Sequence, residues 1–179
     1  GVGMLTATSP VGPWTDPLGK CVVDGNTPGL GKCKAPFDPG VVIDDKGIGW
    51  LSFGGGDSDD YIPGDARIVR LANDMKTLDS EIVEIKAPYH FEANELNYLN
   101  GTWIYTYNTN WKNRDVWPHK DIDKPSRCCM SYMTSRTPLE TDSWTYRDNY
   151  FKNPGDYGMS DSNNHTHCLL YTSPSPRDV

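Results

Sequence analysis

Two acidic residues, Asp38 and Glu92, occupy matching places in the sequence and are the carboxylates best placed to do chemistry. Asp38 lies in a Phe-Asp-Pro motif and Glu92 in a Phe-Glu-Ala motif. Each motif is followed by a short aromatic stretch with the character of a β-strand. Equivalent parts of a repeat bring their side chains to one symmetry axis, so we expect the two carboxylates to meet there. Such a pair is typical of sites that cleave glycosidic bonds.

The two motifs belong to a repeat with a period of roughly fifty residues. Gly47 and Gly101 open the matching aromatic stretches of the two copies. Further strand patterns follow in each copy, at 66–71 and 80–85 in the first and at 129–134 and 144–151 in the second. Residues 4–14 resemble part of the same unit. A repeat of this length made of short strands predicts the blades of a β-propeller.

The composition also predicts an all-β chain. Seventeen Gly, fourteen Pro and twenty aromatic residues (six Trp, ten Tyr and four Phe) are spread along its 179 residues. Proline interrupts most stretches that would otherwise allow a long helix. A stable propeller has about four to eight blades. This chain is long enough for only about two whole blades with partial ones beside them.

The charge pattern excludes some classes of partner. The net charge is −7 and the basic residues do not cluster. We therefore expect no nucleic-acid partner and no membrane partner. No apolar run approaches the length of a membrane span. Cys21 and Cys33 could pair in an exported protein, although free thiols are the expectation.

The end of the sequence, residues 168–179, resembles a translated sequencing adapter. A native Pro/Ser-rich linker is the alternative. With that tail set aside, residues 1–167 are expected to hold the end of a first blade, a complete second and third blade, and the start of a fourth. The chain is then a fragment of a propeller, and we expect it to be inactive by itself.

These motifs resemble glycoside hydrolase family 43 over nearly all of residues 1–167. The Asp38 motif, an Asp-Asp-x-Gly turn and the glycines at 54–56 are similar to the second blade of that family. The Glu92 motif and the segment 105–111, Tyr-Thr-Tyr-Asn-Thr-Asn-Trp, are similar to its third blade. Residues 153–155 and 163–165 resemble the run into its fourth. The resemblance implies a five-bladed propeller that cleaves arabinose and xylose units from plant cell-wall polysaccharides with inversion.

The resemblance also implies roles for the two carboxylates. Glu92 matches the general acid, and Asp38 matches the carboxylate that orients the acid and raises its pKa. The general base belongs to the first blade in this family, and no residue of this chain takes that role. Glu95 lies close enough to Glu92 to compete for the acid role. Asp44 and Asp45 are interpreted as a solvated hairpin turn.

Further residues are candidates for binding sugar. Aromatic faces stack on the C–H faces of sugar rings, and Trp111 and Trp117 lie in a long segment of the third blade, although packing between blades is equally plausible. Asn108 lies in the segment 105–111 of the third blade, which ends at Trp111. Arg67 could bind sugar hydroxyls or the carboxylates, or it could form a salt bridge on its strand.

A metal ion is a further possibility. In the family a His of the fourth blade reaches the central channel, often near calcium, and His165 fits that place, although Thr166 stands where a second His is common. The acidic residues at 57, 59 and 60 could also hold calcium, but a solvated loop is the simpler interpretation. We therefore expect no required cofactor and allow a structural Ca²⁺.

The expected activity is that of an exo-acting α-L-arabinofuranosidase or β-xylosidase. Its partner would be a plant polysaccharide or oligosaccharide, arabinoxylan or arabinan, and its location secreted or periplasmic in a bacterium. An endo-arabinanase on the same scaffold and a non-catalytic carbohydrate-binding propeller are the alternatives.

Overall fold

Two consecutive antiparallel sheets of four strands make up most of the regular structure. The computed structural model describes residues 1–159. The first sheet contains β1 (Gly40–Ile43), β2 (Gly49–Phe53), β3 (Arg67–Arg70) and β4 (Val83–Glu84). The second contains β5 (His90–Leu99), β6 (Thr102–Thr109), β7 (Met130–Ser135) and β8 (Thr145–Phe151). In both sheets the strands are hydrogen-bonded in chain order, which is the meander of a propeller blade.

The first hairpin of each sheet turns at an equivalent glycine. Gly47, between β1 and β2, and Gly101, between β5 and β6, both have φ of 78°. This left-handed conformation is open to glycine at little cost. In the second hairpin Asn100 precedes the glycine with φ of 49°, as a type I′ turn requires. Both hairpins thus reverse at a glycine in the same conformation, which agrees with the repeat, although the first loop spans 44–48 and the second only 100–101.

The two sheets are joined by an aromatic core. Trp50 of the first sheet and Trp103 of the second meet edge to face, with ring centroids 5.1 Å apart. Ile68, Tyr105 and Tyr107 belong to the same cluster and have no exposed surface. Large aromatic side chains stabilise such an interface chiefly by the apolar area that they bury. The sheets therefore pack against each other as neighbouring blades do.

The N-terminal segment adds only isolated pairings. Val2 pairs with Val23 and Thr6 with Thr15, and Val2 and Val23 are buried against the first sheet. The described cysteines carry free thiols. Among residues 1–159 no helix has the length and apolar character needed to span a bilayer.

The prediction of an all-β chain is confirmed, with two differences in detail. The strand expected at 80–85 is reduced to Val83–Glu84, since the hydroxyl of Ser80 accepts a hydrogen bond from the backbone N–H of Arg70 at 3.0 Å in place of a ladder partner. The sequence patterns also missed the first strand of each sheet. In β5 polar residues fill half of the positions, two of them side by side at Asn94 and Glu95, so the usual alternation is hidden.

The interpretation of Asp44 as solvated is wrong. Only 8% of the residue is exposed, and its carboxylate accepts hydrogen bonds from the indole N–H of Trp50 at 3.0 Å and from the backbone N–H groups of Lys46 and Ile48. Burial by itself raises the pKa of Asp44, but these hydrogen bonds outweigh it and lower the pKa overall. Asp44 therefore fastens the β1–β2 turn to the aromatic core.

Replacing Asp44 by Ala should destabilise the whole protein by about 1–3 kcal/mol, because the buried indole N–H of Trp50 loses its acceptor. The pKa of Asp44 is lower in the folded protein than its ordinary value of 3.8. The ionised carboxylate therefore stabilises the fold fully at pH values above 3.8. This stabilisation is lost as the pH falls through the folded-state pKa. Chemical denaturation at pH 7 and at pH 3 measures both effects. An equal difference between wild type and Asp44→Ala at the two pH values would contradict the ionic part of this account.

Candidate active site

Glu92 lies on an irregular part of β5 that the second sheet holds in place. The pairing of β5 with β6 shifts register on both sides of Glu92, so the strand bulges there. Ala93, the next residue, has φ of 58°, which is uncommon for a residue other than glycine. Such backbone is maintained only where the surroundings impose it, and it is concentrated at functional sites.

The side chain of Asp38 restrains this bulge. Its Oδ2 accepts a hydrogen bond from the backbone N–H of Ala93 at 2.8 Å. On the other side of Glu92, the carbonyl of Phe91 accepts a hydrogen bond from the N–H of Gly56 at 3.0 Å. Phe91 and Ala93, the residues before and after Glu92, are thus both bonded to segments that flank β1 and β2 of the first sheet. The carboxylate of Asp38 is thus brought next to the backbone that follows Glu92.

Gly54 and Gly55 allow the first sheet to approach the backbone beside Glu92 this closely. A Cβ atom on Gly55 would lie 2.5 Å from the ring of Phe37 and 2.6 Å from the carbonyl of Phe91. A Cβ atom on Gly54 would lie 2.1 Å from the carbonyl of Asp65. Backbone atoms therefore occupy the space that side chains would need.

A buried polar network, which sequence analysis missed, lies behind the bulge. Nδ1 of His90 is 2.9 Å from Oδ1 of Asp65, and Nε2 of His90 is 2.8 Å from Oδ1 of Asn94. His90 and Asn94 flank the bulge on β5, so their contact spans it. The amide of Asn94 also donates to the carbonyl of Gly54 at 2.5 Å. The available signal was a His and an Asn four residues apart, on either side of the Glu92 motif.

Tyr105 of β6 completes the network. Its hydroxyl lies 2.8 Å from Nε2 of His90 and donates a hydrogen bond to Oδ1 of Asn94. Burial raises the pKa of Tyr105 well above its ordinary value, so the hydroxyl keeps its proton and remains a donor. The hydrogen bonds among His90, Asn94 and Tyr105 favour one arrangement of the backbone that carries these side chains.

Glu95, the competing candidate, lies further along β5 where β1 packs against it. A Cβ atom on Gly40 would come within 3.0 Å of the carbonyl carbon of Glu95. Burial raises the pKa of Glu95, a property that suits a proton donor. The contact of Asp38, however, is made next to Glu92 and not at Glu95. The position of Asp38 thus favours Glu92 as the general acid, whereas the raised pKa favours Glu95.

The two tryptophans have different surroundings. Trp111 is half-buried and meets Phe91 edge to face at 4.9 Å, with the ammonium of Lys112 5.5 Å from its ring centre. Trp117 donates from its indole N–H to the carbonyl of Ile122 at 2.8 Å and packs against Tyr146 in the core. Trp111 is therefore close to the Glu92 bulge, whereas Trp117 is engaged in packing.

The other two sugar-binding candidates are buried. Asn108 has no exposed surface and pairs with Glu92 across β5 and β6. Arg67 is 2% exposed, and its guanidinium donates to the carbonyls of Leu30, Gly64 and Ala66 at 2.8–2.9 Å. It also lies 3.9 Å from the carboxylate of Glu84. Of the two interpretations of Arg67, this geometry favours the salt bridge on the strand.

The acidic residues at 57, 59 and 60 face ammonium groups. Lys112 lies 3.3 Å from both Asp57 and Asp59, and Lys32 lies 3.5 Å from Asp60. Within residues 1–159 no group of three or more His, Cys, Asp or Glu side chains is arranged to hold a metal. His165 lies outside the described residues, so a calcium ion beside it stays a prediction.

The family model for glycosyl hydrolases family 43 matches residues 1–173 of the chain. The chain belongs to glycosyl hydrolase family 43. Arabinoxylan arabinofuranohydrolase from Bacillus subtilis (strain 168) is 39% identical over 168 residues, which are 87% of this chain and 30% of that protein. The protein of the same name from Paenibacillus polymyxa is 36% identical over 173 residues, 92% of this chain and 26% of its own length. The chain therefore spans less than a third of either relative.

Solved family 43 structures share the fold. The crystal structure of the Bacillus subtilis family 43 arabinoxylan arabinofuranohydrolase in complex with cellotetraose superposes with a TM-score of 0.75 at 39% identity, over 91% of this chain and 34% of that one. An α-L-arabinofuranosidase from Clostridium thermocellum gives 0.67 at 29% identity, over 90% of this chain and 47% of that one. The two sheets are thus blades of a partial family 43 β-propeller.

Adding one methyl group at Gly55, in the run of glycines at 54–56, should disrupt the packing next to Glu92. In Gly55→Ala the new Cβ would overlap the Phe37 ring and the Phe91 carbonyl, so we expect a loss of about 1–3 kcal/mol in the whole protein, as for other overpacked positions. Gly25→Ala is the matched control, because a Cβ there meets nothing within 4 Å. Thermal unfolding of the two variants provides the comparison. Equal melting temperatures would show that the blades do not approach as closely as described.

Proposed function

We propose that this chain supplies the general acid, Glu92, and its orienting carboxylate, Asp38, to an inverting glycoside hydrolase that acts on arabinoxylan. The observation that carries the proposal is the hydrogen bond from Ala93 N–H to Asp38 Oδ2. It links the two carboxylate-bearing segments across two blades and fixes the backbone next to the acid. Two relatives named arabinoxylan arabinofuranohydrolases support the substrate.

The acid works by delivering a proton. As the glycosidic bond breaks, the carboxyl group of Glu92 protonates the departing oxygen, so that a neutral alcohol leaves. A second carboxylate on the opposite face of the sugar activates a water molecule, and about 6.5–9.5 Å between the two groups leaves room for that water in an inverting enzyme. The second carboxylate is expected outside this chain.

Asp38 acts through the backbone. Its bond to Ala93 N–H restricts rotation of the peptide that follows Glu92, which limits the directions in which the acid can point. A proton donor has to be held within hydrogen-bonding reach of the atom that it protonates. Asp38 is therefore a positioning residue for Glu92.

The reaction is proposed to be exo-acting release of an arabinofuranose or xylose unit, with arabinofuranose favoured by the names of the relatives. Trp111 is the proposed stacking surface. It contacts Phe91, the residue before the acid, and a half-buried indole face can cover the C–H face of a sugar ring.

Replacing Glu92 by Gln in the whole protein should lower kcat/KM on arabinoxylan about 10²–10⁴-fold, the range that general acid catalysis contributes. The loss should be much smaller for 4-nitrophenyl α-L-arabinofuranoside, because a nitrophenolate departs without needing a proton. Steady-state kinetics on the two substrates gives both values.

Glu95→Gln is the matched control, since it makes the same change three residues along the same strand. We expect it to retain activity on both substrates. If Glu95→Gln showed the leaving-group dependence and Glu92→Gln did not, the roles of the two residues would have to be exchanged. Equal losses on both substrates for Glu92→Gln would mean that Glu92 is not the proton donor.

The chain of 179 residues is proposed to be inactive by itself, because the residue that activates water is expected elsewhere in the whole protein. Incubation of the purified chain with 4-nitrophenyl α-L-arabinofuranoside and with arabinoxylan tests this. Turnover that survives in the wild-type chain and disappears in Glu92→Gln would show that the missing base is present after all.

A further inference from the structure

His90 and Asn94 contact each other across the Glu92 bulge, which residues at their spacing could not do in a regular strand. Nε2 of His90 lies 2.8 Å from Oδ1 of Asn94, although the two residues are four apart on β5. In a regular strand such residues are roughly 13 Å apart, and their side chains stand perpendicular to the sheet. The register shifts on either side of Glu92 bring them together. We call His90 and Asn94 the cross-bulge pair.

The direction of the hydrogen bond in the cross-bulge pair follows from the other contact of Asn94. The side-chain N–H of Asn94 donates to the carbonyl of Gly54 at 2.5 Å, and a carbonyl oxygen can only accept. A flipped amide would set two oxygens against each other, so Oδ1 of Asn94 is the atom that faces His90. Because this oxygen also can only accept, Nε2 of His90 has to carry a proton and donate it.

The position of Tyr105 agrees with a proton on Nε2. The Tyr105 hydroxyl donates to Oδ1 of Asn94 and lies 2.8 Å from Nε2 of His90. Its single proton is therefore used, and its lone pairs can accept from Nε2. Without a proton on Nε2, a lone pair of the ring would face the oxygen of Asn94, which is repulsive. The three groups are all paired only when Nε2 donates.

The other ring nitrogen of His90 also faces an acceptor. Nδ1 lies 2.9 Å from Oδ1 of Asp65, a residue that is 5% exposed. An ionised carboxylate only accepts, so a proton on Nδ1 makes this contact a charge-assisted hydrogen bond. In model compounds an imidazole binds a proton more tightly than a carboxylate does. With that proton on the ring, His90 is an imidazolium beside the carboxylate of Asp65, and each buried charge is paired.

The aromatic groups packed around the His90 ring carry no charge. The rings of Tyr105 and Tyr107 on β6 lie 6.0 and 5.4 Å from it, and burial raises the pKa of both hydroxyls well above the ordinary value. Arg67, two residues after Asp65, donates to backbone carbonyls. The charge that faces the His90 ring is therefore that of Asp65.

We propose that the cross-bulge pair positions the general acid: His90, held as an imidazolium by Asp65, donates to Asn94 and so fixes the bulge that carries Glu92. The proposal rests on the proposed function, since it takes Glu92 as the proton donor. Asp38 restrains the peptide after Glu92, and the cross-bulge pair restrains the same stretch of strand from its buried side. His90 and Asn94 are positioning residues, because both are buried away from any substrate.

Two double variants of the whole protein, matched except for the donor, test the positioning role. His90→Gln with Asp65→Asn removes the ion pair but keeps an amide N–H near the place of Nε2, whereas His90→Leu with Asp65→Asn keeps no donor. We expect kcat/KM on arabinoxylan to be about tenfold lower in the Leu variant than in the Gln variant, the kinetic equivalent of one hydrogen bond. On 4-nitrophenyl α-L-arabinofuranoside, whose leaving group needs no proton, the two should agree within about twofold.

Two single variants extend the comparison. Asn94→Leu removes the acceptor and leaves the ion pair of His90 and Asp65 in place, so it should show the same dependence on the leaving group. Tyr107→Phe is the matched control, because it removes a buried hydrogen bond to the carbonyl of Pro88 beside the same ring. It should not change the ratio of the two activities. A weakened fold would lower both activities alike, so the ratio separates positioning from a general loss of stability.

The protonation of His90 is measured in the wild-type protein. NMR of the protein with ¹⁵N-labelled histidine shows whether each ring nitrogen carries a proton, at the pH at which the kinetics are measured. The signals of His90 are identified by their absence from the His90→Gln double variant. We expect a proton on both nitrogens of this ring. The spectrum and Asn94→Leu decide the matter if neither double variant folds.

Three results would overturn the proposal. The first is a His90 ring with a proton on only one nitrogen. The second is equal kcat/KM on arabinoxylan for the two double variants. The third is a loss in Asn94→Leu that is the same for arabinoxylan and for the aryl glycoside. If Glu92→Gln itself showed no dependence on the leaving group while His90 carried both protons, the proposed function would fail, but the ion pair and its hydrogen bond to Asn94 would stand.

Discussion

The hydrogen bond from the Ala93 N–H to the carboxylate of Asp38 is the contact on which the geometry of the site depends. It is short, at 2.8 Å, and it joins the segment before β1 of the first sheet to β5 of the second. Charge-assisted bonds from backbone N–H groups to carboxylates are roughly twice as strong as neutral ones. The unusual backbone angle of Ala93 is stable because this bond and the one from Gly56 to Phe91 hold it from both sides. Asp38, which the sequence singles out for its charge, thus also holds the backbone next to Glu92 in place.

The buried network extends this restraint into the core. His90, Asn94 and Tyr105 form mutual contacts below the bulge, and Asp65 connects them to the first sheet. Buried polar groups are costly unless they are paired. Once they are paired, they favour one arrangement over its competitors. The bulge is therefore held by the two hydrogen bonds beside Glu92 and by the buried polar network of His90, Asn94 and Tyr105 behind it.

Much of this arrangement could be predicted from the sequence, because it depends on local patterns. The repeat, the glycine turns at Gly47 and Gly101 and the aromatic strands are properties of short segments, and the structure agrees with them. The candidate pair Asp38 and Glu92 followed from the same repeat. The hydrogen bond of Asp38 to Ala93, the residue after Glu92, could not be predicted, since it depends on how two blades approach.

Sequence reasoning missed the features in which tertiary contacts determine the burial and the partners of a side chain. Asp44 looked like an exposed turn residue, yet a tryptophan six residues away in sequence buries it. Arg67 was open to two interpretations, a ligand contact or a salt bridge on its strand, and only its burial among backbone carbonyls favours the second. The network of His90 and Asn94 is hidden in a strand whose polar residues mask the alternation of buried and exposed positions. In each case the residue type was visible, but its surroundings were not.

The division of the site between two blades has a consequence for how the enzyme would respond to heat. The blades are joined by aromatic packing, which tolerates small sliding movements, and by a few directional hydrogen bonds at the glycine run, which do not. A shear of the blades by about an ångström would lengthen the bond at Ala93 beyond its useful range while leaving both sheets intact. The geometry around Glu92 is thus sensitive to the fit between blades, and heating should disturb it before either sheet unfolds.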